Sequence, residues 1–430
     1  MSSLAHSSGG VSETRRLLPA HSVAGKRALN RIISNFGIGL GVFLLGFVMS
    51  EPAPYEIYMV GLISVALLFG IRLTRTSMVL LALLTAFNFG GMLSVMQMAD
   101  TKNAPLYIAV SLFLAFTAVF YAAIIEADYR RLNTIFNAYL LVAFISSALG
   151  IAGYLNLFPG ADIFTRYGRA KGAFQDPNVY APFLILPFSW CLYRIMRGNP
   201  RDLLAYIPLC CFLTLGILVS FSRAAWAMAP LSFLCIFAVL FLQSESNKLR
   251  LRLVVIGTLA VVMIIFAILL LLQIPDVRTF FFERAQLEQS YDSERLGRFA
   301  RHWLGMWLAT EHPLGIGPLE FAPLFGEDTH NTWLKAVLEY GWIGFVSFIT
   351  LTVLSLAIGF KLLFRNRPWQ PYLLCAYATY LGHVLISNVI DIDHWRHFYL
   401  LFGIIWGCAG LEYKYQLKNH QPYRDLQCNS

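Results

Sequence analysis

The chain has 430 residues, of which 57% are apolar, 15% aromatic and only 13% charged. That balance excludes a water-soluble globular domain and puts most of the chain in lipid. The formal net charge of +9 does not make a nucleic-acid binder, because the cations sit in short connections between apolar segments, where they orient a membrane protein.

Residues 1–32, rich in Ser, Gly and Arg, are expected to be a disordered tail held in the cytoplasm by Arg15, Arg16, Lys26, Arg27 and Arg31. About twelve apolar segments follow, each close to the length that crosses a hydrocarbon layer roughly 30 Å thick. Nine fall within 33–273, at 33–50, 54–71, 77–96, 106–125, 133–153, 179–196, 203–221, 224–242 and 252–273. Three more fall within 342–412, at 342–363, 372–390 and 397–412. An open sheet edge cannot be satisfied in lipid, so the spans must be helices and the fold class is all-α, a polytopic transmembrane bundle. The first segment has no small-residue cleavage site after it and reads as a retained span, not a signal peptide.

Cations mark alternate connections. Arg72 and Arg75 follow the second span, Arg130 and Arg131 the fourth, and Arg194, Arg197 and Arg201 the sixth. Lys248, Arg250 and Arg252 follow the eighth, and Lys361, Arg365 and Arg367 the tenth. Every group lands on the side of the N-terminus, and residues 413–430 return there as a tail, so both termini are expected in the cytoplasm. All seven cysteines fall in spans or in this tail, which implies neither a disulfide framework nor a Cys-based zinc site. No internal repeat is visible, which weighs against an inverted-repeat transporter.

Two outer connections are long, 154–178 and 274–341. In the second, Ser293 is expected to cap an amphipathic helix running to about Ala309 along the membrane boundary. Leu296, Phe299, Trp303 and Trp307 repeat at helical spacing in it, while Arg295, Arg298, Arg301 and His302 lie elsewhere on the wheel. The run from His312 to Pro318 stops that helix. A continuous helix from Asn331 to Phe364 would reach about 51 Å at 1.5 Å per residue, longer than the membrane is thick, so a break is expected near Gly341 and Gly344.

Several cations fall in connections that face outward, against the orientation pattern: Arg166, Arg169, Lys171, Arg223, the Arg295/Arg298/Arg301 group and Arg396. Topology does not need them there, and they are candidates for binding an anion at the outer leaflet; snorkelling at the interface is the plainer alternative. Arg166, Arg169 and Lys171 are interleaved with Gly168 and Gly172, which lets backbone and guanidinium forks approach phosphate-like oxygens together. Asp176-Pro177-Asn178 is a turn that would start the sixth span with its N-terminus toward the same anion. Arg223 opens the eighth span, a poor place for a cation on a helix dipole unless an anion is shared there.

His330 stands where the long outer connection re-enters helix, followed by Asn331 and Trp333. A neutral imidazole there can take a proton from a hydroxyl, and a hydrogen-bonded structural role is the alternative. Asn331 and Trp333 are candidates for holding a sugar by hydrogen bonding and stacking. His302, His312, His330, His383, His394 and His397 all belong to the outer half, so a metal site has to be weighed. Asp391-Ile392-Asp393-His394 has the look of the metal-holding Asp-x-Asp of soluble nucleotide-sugar transferases, but that motif belongs to cytoplasmic α/β domains. Asp391 and Asp393 are instead expected to pair with outer arginines or to bind a sugar, and no metal ligand is assigned.

Four segments together resemble the O-antigen ligase family, within the O-antigen ligase/polymerase superfamily of membrane glycosyltransferases. They are GRAKGAFQDPNVYAPFL at 168–184, SFSRAAW at 220–226, HPLGIGP at 312–318 and HNTWLKAVLEYGWIGF at 330–345. The resemblance implies a C-type glycosyltransferase fold and a periplasmic active site on the inner membrane of a Gram-negative bacterium. It implies transfer of a glycan from undecaprenyl pyrophosphate to the lipid A–core oligosaccharide, metal-independent and inverting, with no cofactor. By the same resemblance Arg223 matches the family's pyrophosphate-binding arginine, His330 its loop histidine, and Arg166, Arg169 and Lys171 the basic residues before the sixth span. Asn178 and Asp391 complete the expected substrate contacts. Expected partners are the lipid-linked donor, the lipid A–core acceptor and membrane lipids. An O-antigen polymerase, a protein O-oligosaccharyltransferase and, from another class, an anionic-lipid transporter are the alternatives.

Overall fold

A computed structural model describes residues 20–273, 278–279 and 298–427. Ser293 and Arg295 lie outside these residues, as does most of the expected N-terminal tail.

The chain begins with α1 (Ala20–Leu44), α2 (Pro54–Leu68), α3 (Arg75–Val95), α4 (Ala104–Ala127) and α5 (Arg131–Tyr154). A short 3₁₀ turn (Ala161–Phe164) and a two-residue ribbon, β1 (Thr165–Arg166) with β2 (Arg169–Ala170), precede α6 (Pro177–Phe183) and α7 (Ile185–Arg197). Then come α8 (Pro200–Val219), α9 (Arg223–Gln243) and α10 (Asn247–Leu271). After the long connection stand α11 (Arg298–Glu311), α12 (Phe321–Phe325), α13 (Thr332–Leu363), α14 (Gln370–Ile386) and α15 (Arg396–Gln427). Pro54, Pro177 and Pro200 each open a helix, where the missing N–H costs nothing.

Each of the twelve predicted segments coincides with helix. Seven of these helices among the described residues are long and apolar enough to cross a membrane: α3, α4, α5, α6–α7 taken together, α8, α9 and α13. The protein is therefore a polytopic membrane protein. Pro54–Leu68 has 15 residues, and α14 has 17, so neither reaches full membrane thickness at 1.5 Å per residue.

Burial sorts the helices into inner and outer positions. The apolar windows of α4 and α6–α7 are 72% and 78% buried, against 28% for α8, so the former are central and the latter faces lipid. Close approach at the centre rests on small residues. Gly403 and Gly407 of α15 lie so near Tyr121 and Ile125 of α4 that a Cβ would come within 2.5 and 2.9 Å of them.

The break in α13 falls at Gly341, whose φ of 64° and ψ of −177° are outside the helical region and open almost only to glycine. The kink removes the bond that Trp342 N–H would make to the Leu338 carbonyl. Both groups are satisfied by the 312–318 loop instead: Ile316 N–H donates to Leu338 O at 2.7 Å, and Trp342 N–H to Pro313 O at 3.0 Å. The loop thus replaces one helical hydrogen bond with two. It also seats Leu319 N–H on the buried Glu339 Oε1 at 3.1 Å. The short helix Thr332–Tyr340 is thereby set apart from the membrane-crossing part of α13.

Helix α11 packs on that short helix through Gly305 and Ala309, which face Leu334, Phe321 and Leu338. Its actual inner face differs from the expected apolar one. Arg301 points inward and is 8% exposed, while Trp303, Met306 and Trp307 turn outward. Small side chains are needed against Leu334, and the two tryptophans suit the membrane boundary.

Candidate functional site

The basic corner begins with the ribbon. Tyr167 and Gly168 have φ of 54° and 68°, as a tight two-residue hairpin turn requires, and Arg166 and Arg169 are direct partners across it. Arg166 is exposed, donates from Nη1 to Gln175 O at 3.2 Å and lies 3.6 Å from Asp176 Oδ2. Arg169 is only 6% exposed. Its Nε donates to Ser220 O at 2.7 Å and its Nη2 to Asn178 Oδ1 at 2.8 Å. Asp176 caps α6 by accepting from Asn178 N–H at 2.7 Å. Arg169 therefore ties the ribbon, the start of α6 and the α8–α9 turn together. Lys171 is half-exposed on the strand side of this knot, its backbone N–H on Phe164 O at 2.9 Å.

Arg223 is the first residue of α9 and is half-buried beside that turn. Ser222 precedes it at the cap position but makes no side-chain cap, and its hydroxyl is buried with no hydrogen-bond partner among the described residues. A 21-residue helix thus ends in an uncapped N-terminus with a guanidinium beside it.

The histidine side is built on α13. His330 has φ of 46°, a left-handed conformation uncommon outside glycine. Asn331 caps the helix: its Oδ1 accepts from Trp333 N–H at 3.0 Å and Leu334 N–H at 3.1 Å, and its Nδ2 donates to Asn388 O at 3.2 Å. Thr332 N–H donates to Ser387 O at 2.8 Å and Thr332 Oγ1 to Ile390 O at 2.8 Å, docking the helix start on the segment after α14. Trp333 is half-buried with its ring 5.8 Å from Phe348. Asn331 and Trp333 therefore spend much of their side chains on holding this helix. His330 Nδ1 stands 3.9 Å from Asp391 Oδ2, and Thr329 Oγ1 donates to Asp391 Oδ1 at 3.2 Å. His302 of α11 steadies the same strand through Thr329 O at 2.8 Å.

The basic corner and the histidine lie at one end of the bundle. Helices α9 and α14 run antiparallel. Gln370 at the start of α14 donates to Gln243 at the end of α9 (3.3 Å), and nearer their other ends Gly382 lies against Met228. Arg223 and Ser387 are each five residues beyond that contact, about 7.5 Å along their helices. The α14 end with Ser387 and Asn388 is the surface on which Asn331 and Thr332 dock.

A charged cluster behind His330 was not foreseen from the sequence. Lys335 is 6% exposed, with Nζ 2.8 Å from Asp328 Oδ2, 3.8 Å from Glu339 Oε1 and 4.0 Å from Asp391 Oδ2. Asp393 accepts from Tyr107 Oη at 3.1 Å and from His394 Nδ1 at 2.7 Å. Burial pushes the Asp391 carboxyl up to about 7, against the opposing pull of Lys335. Burial also works against ionisation of Asp393, but Lys335, His394 and Tyr107 outweigh it and hold that group below the ordinary carboxylate range. The opposite charges at Lys335 and Glu339, one helical turn apart inside an apolar run, were the available signal.

Two expectations change. Asp391 and Asp393 pair with lysine, histidine, tyrosine and threonine, not with outer arginines, because the nearest cation the fold delivers is Lys335. Arg301 and Arg396 are neutralised within the chain, by Glu327 and by Glu56 with Glu51. Arg298 is described only in its backbone. No curated protein matches the chain. Residues 208–349, which carry Arg223, His330 and the Gly341 kink, match the family model described as O-Antigen ligase, so this third of the chain is similar to that family.

Proposed function

We propose that this protein is an O-antigen ligase of the inner membrane, moving a glycan from undecaprenyl pyrophosphate to the lipid A–core oligosaccharide at the periplasmic face. The observation that carries the reading is the meeting of two chemistries at one end of the bundle: an anion-seeking corner of Arg169, Arg223 and the uncapped α9 N-terminus, and a histidine backed by a carboxylate. The outer cations Arg166 and Lys171 add field at the mouth of that corner, and Asn178 holds the Arg169 fork in place.

In this reading the donor diphosphate lies against Arg223 and the α9 terminus. An acceptor hydroxyl oxygen attacks the anomeric carbon from the face opposite the diphosphate, which inverts the centre. The anomeric C–O bond breaks and its electron pair leaves on the undecaprenyl pyrophosphate, whose growing charge the guanidiniums stabilise. His330 takes the hydroxyl proton, and Asp391 Oδ2, 3.9 Å from Nδ1, supplies the counter-charge to the imidazolium. The diphosphate bond is already activated, so neither nucleotide nor metal is called for. The C-type arrangement of about twelve spans belongs to the same proposal, with lipid-facing helices guiding the polyprenyl chain.

Lipopolysaccharide gels of a deletion strain test it. Loss of all long-chain bands while lipid-linked polymer accumulates is the ligase outcome. A single repeat still attached to core would assign the protein to the polymerases, and unchanged bands would remove both readings.

A further inference from the structure

The opposite, cytoplasmic face holds a cavity of about 460 Å³ between the middle of α1, the α4–α5 turn and the turn before α14. That volume is within the roughly 300–1,000 Å³ of small-ligand sites. Arg31 and Arg130 reach it from distant parts of the sequence, Asn35 and Asn133 add amides, and Tyr129 and Tyr372 form walls. Neither guanidinium has a side-chain partner among the described residues. Some arginines on this face are satisfied by the chain itself, Arg194 by Asp202, Arg367 by Glu412, and Arg252 by the carbonyls of Ile195 and Gly198, while Arg72, Arg75, Arg197, Arg201 and Arg365 are exposed and line no part of this cavity. An orientation signal needs only positive charge near the membrane. It does not need two exposed arginines from distant parts of the sequence lining one polar cavity.

The lining also indicates what charge fits. Asp128 is its one carboxylate, with Oδ1 accepting from the Arg130 backbone N–H at 3.0 Å. Two cations against one carboxylate suit a monoanion better than a diphosphate. Guanidinium forks and amide donors suit phosphate oxygens. Helix α1 further carries Leu29, Ile32, Ile33 and Phe36 at helical spacing, 56% to 71% exposed, as a stripe for hydrocarbon. Tyrosines at the same level are the usual residents of the headgroup zone.

We infer that this cavity binds the phosphodiester headgroup of an anionic glycerophospholipid of the cytoplasmic leaflet, with the acyl chains along the apolar stripe of α1. The site is remote from the proposed reaction and does not depend on it.

The test uses the full chain in neutral detergent with phosphatidylglycerol as the probe, read by native mass spectrometry and by thermal unfolding. Bound phosphatidylglycerol should survive in the wild type and raise its unfolding temperature. Arg31→Gln or Arg130→Gln should each weaken binding about fivefold and the pair about 30-fold, as expected for removing surface cations from an anionic lipid contact. Without lipid, the variants should unfold where the wild type does. Asn133→Leu, which fills the cavity without changing charge, should weaken retention as well. Glycerol phosphate and inorganic phosphate should compete poorly; equal binding of either would make this a soluble-phosphate site and overturn the lipid assignment. Wild-type retention by the double variant, or an equal loss in Arg197→Gln, would overturn the site itself.

Discussion

At the scale of single residues, the proposed chemistry rests on two side chains with different expected signatures. In the proposal Arg223 binds the diphosphate, so Arg223→Ala should reduce transfer by more than about 100-fold, the scale of losing a charge-stabilising donor. Arg223→Lys should recover little, because a point charge does not reproduce the fork. Near-normal transfer by Arg223→Ala at normal membrane level would remove the residue from the site. His330→Ala should leave donor binding nearly intact and lower turnover by about 100-fold or more, and His330→Gln should not rescue it. The pH profile adds an independent check. With burial holding Asp391 up to about 7, the carboxylate that backs His330 appears only as pH rises through that value. Turnover should therefore climb between about pH 6 and 8, and Asp391→Asn should flatten the climb. The stability contribution of Asp391 has the opposite sign. Its folded value lies above the ordinary value of about 4, so the stability is present in acid and is lost as pH rises through about 7. A rate that falls with pH in step with unfolding would sink this assignment.

At the scale of elements, the bend in α13 is the device that makes the site. It frees Thr332–Tyr340 from the membrane-crossing part and leaves the 312–318 loop to supply Ile316 N–H and Pro313 O to the broken turn. A Cβ at Gly341 would stand 2.8 Å from the Leu314 backbone, in a conformation other residues avoid. Gly341→Ala should therefore cost about 1–3 kcal/mol in strain alone, read as a lower unfolding temperature with transfer activity falling alongside. An unchanged Tm would mean that the kink is not held as described. Length arithmetic made this bend legible, since no membrane takes so long a straight helix. The loop that fills it was read as a helix stop and as a family-like segment but not as the partner of the bend, because Leu338 lies far from Ile316 in sequence and nothing local announces the bond. The same limit hid the fate of two outer arginines. Arg396 finds Glu56, and Arg301 finds Glu327, only after folding. The ribbon at Thr165–Ala170 escaped notice because two-residue strands carry no periodicity. Lys335 was passed over inside an apolar run, whereas Arg169 and Arg223 stood out because topology had no use for them, and His330 because it stands where the long outer connection re-enters helix.

At the scale of the whole molecule, the proposal requires the ribbon, the α9 terminus and the 312–332 region to share one face of the membrane. The antiparallel pair α9–α14 enforces this. It is fixed at one end by Gln243 with Gln370 and toward the other by Met228 against Gly382, so a shift of either helix would separate Arg223 from the platform that carries Asn331. In the proposal charge asymmetry chooses which face is outside, since Arg365, Arg367 and Lys248 follow Gln243 or precede Gln370 closely in sequence. Single cysteines probe the arrangement directly in spheroplasts, on a background in which the seven native cysteines are changed to Ala. Tyr167→Cys and Glu327→Cys, both at exposed positions, should react with a membrane-impermeant maleimide from outside. Asn366→Cys and Glu245→Cys, exposed on the other face, should react only after permeabilisation. Labelling of Tyr167→Cys and Glu327→Cys from opposite sides would put the diphosphate corner and the histidine in different compartments, and no arrangement of Arg223 and His330 could then serve one reaction.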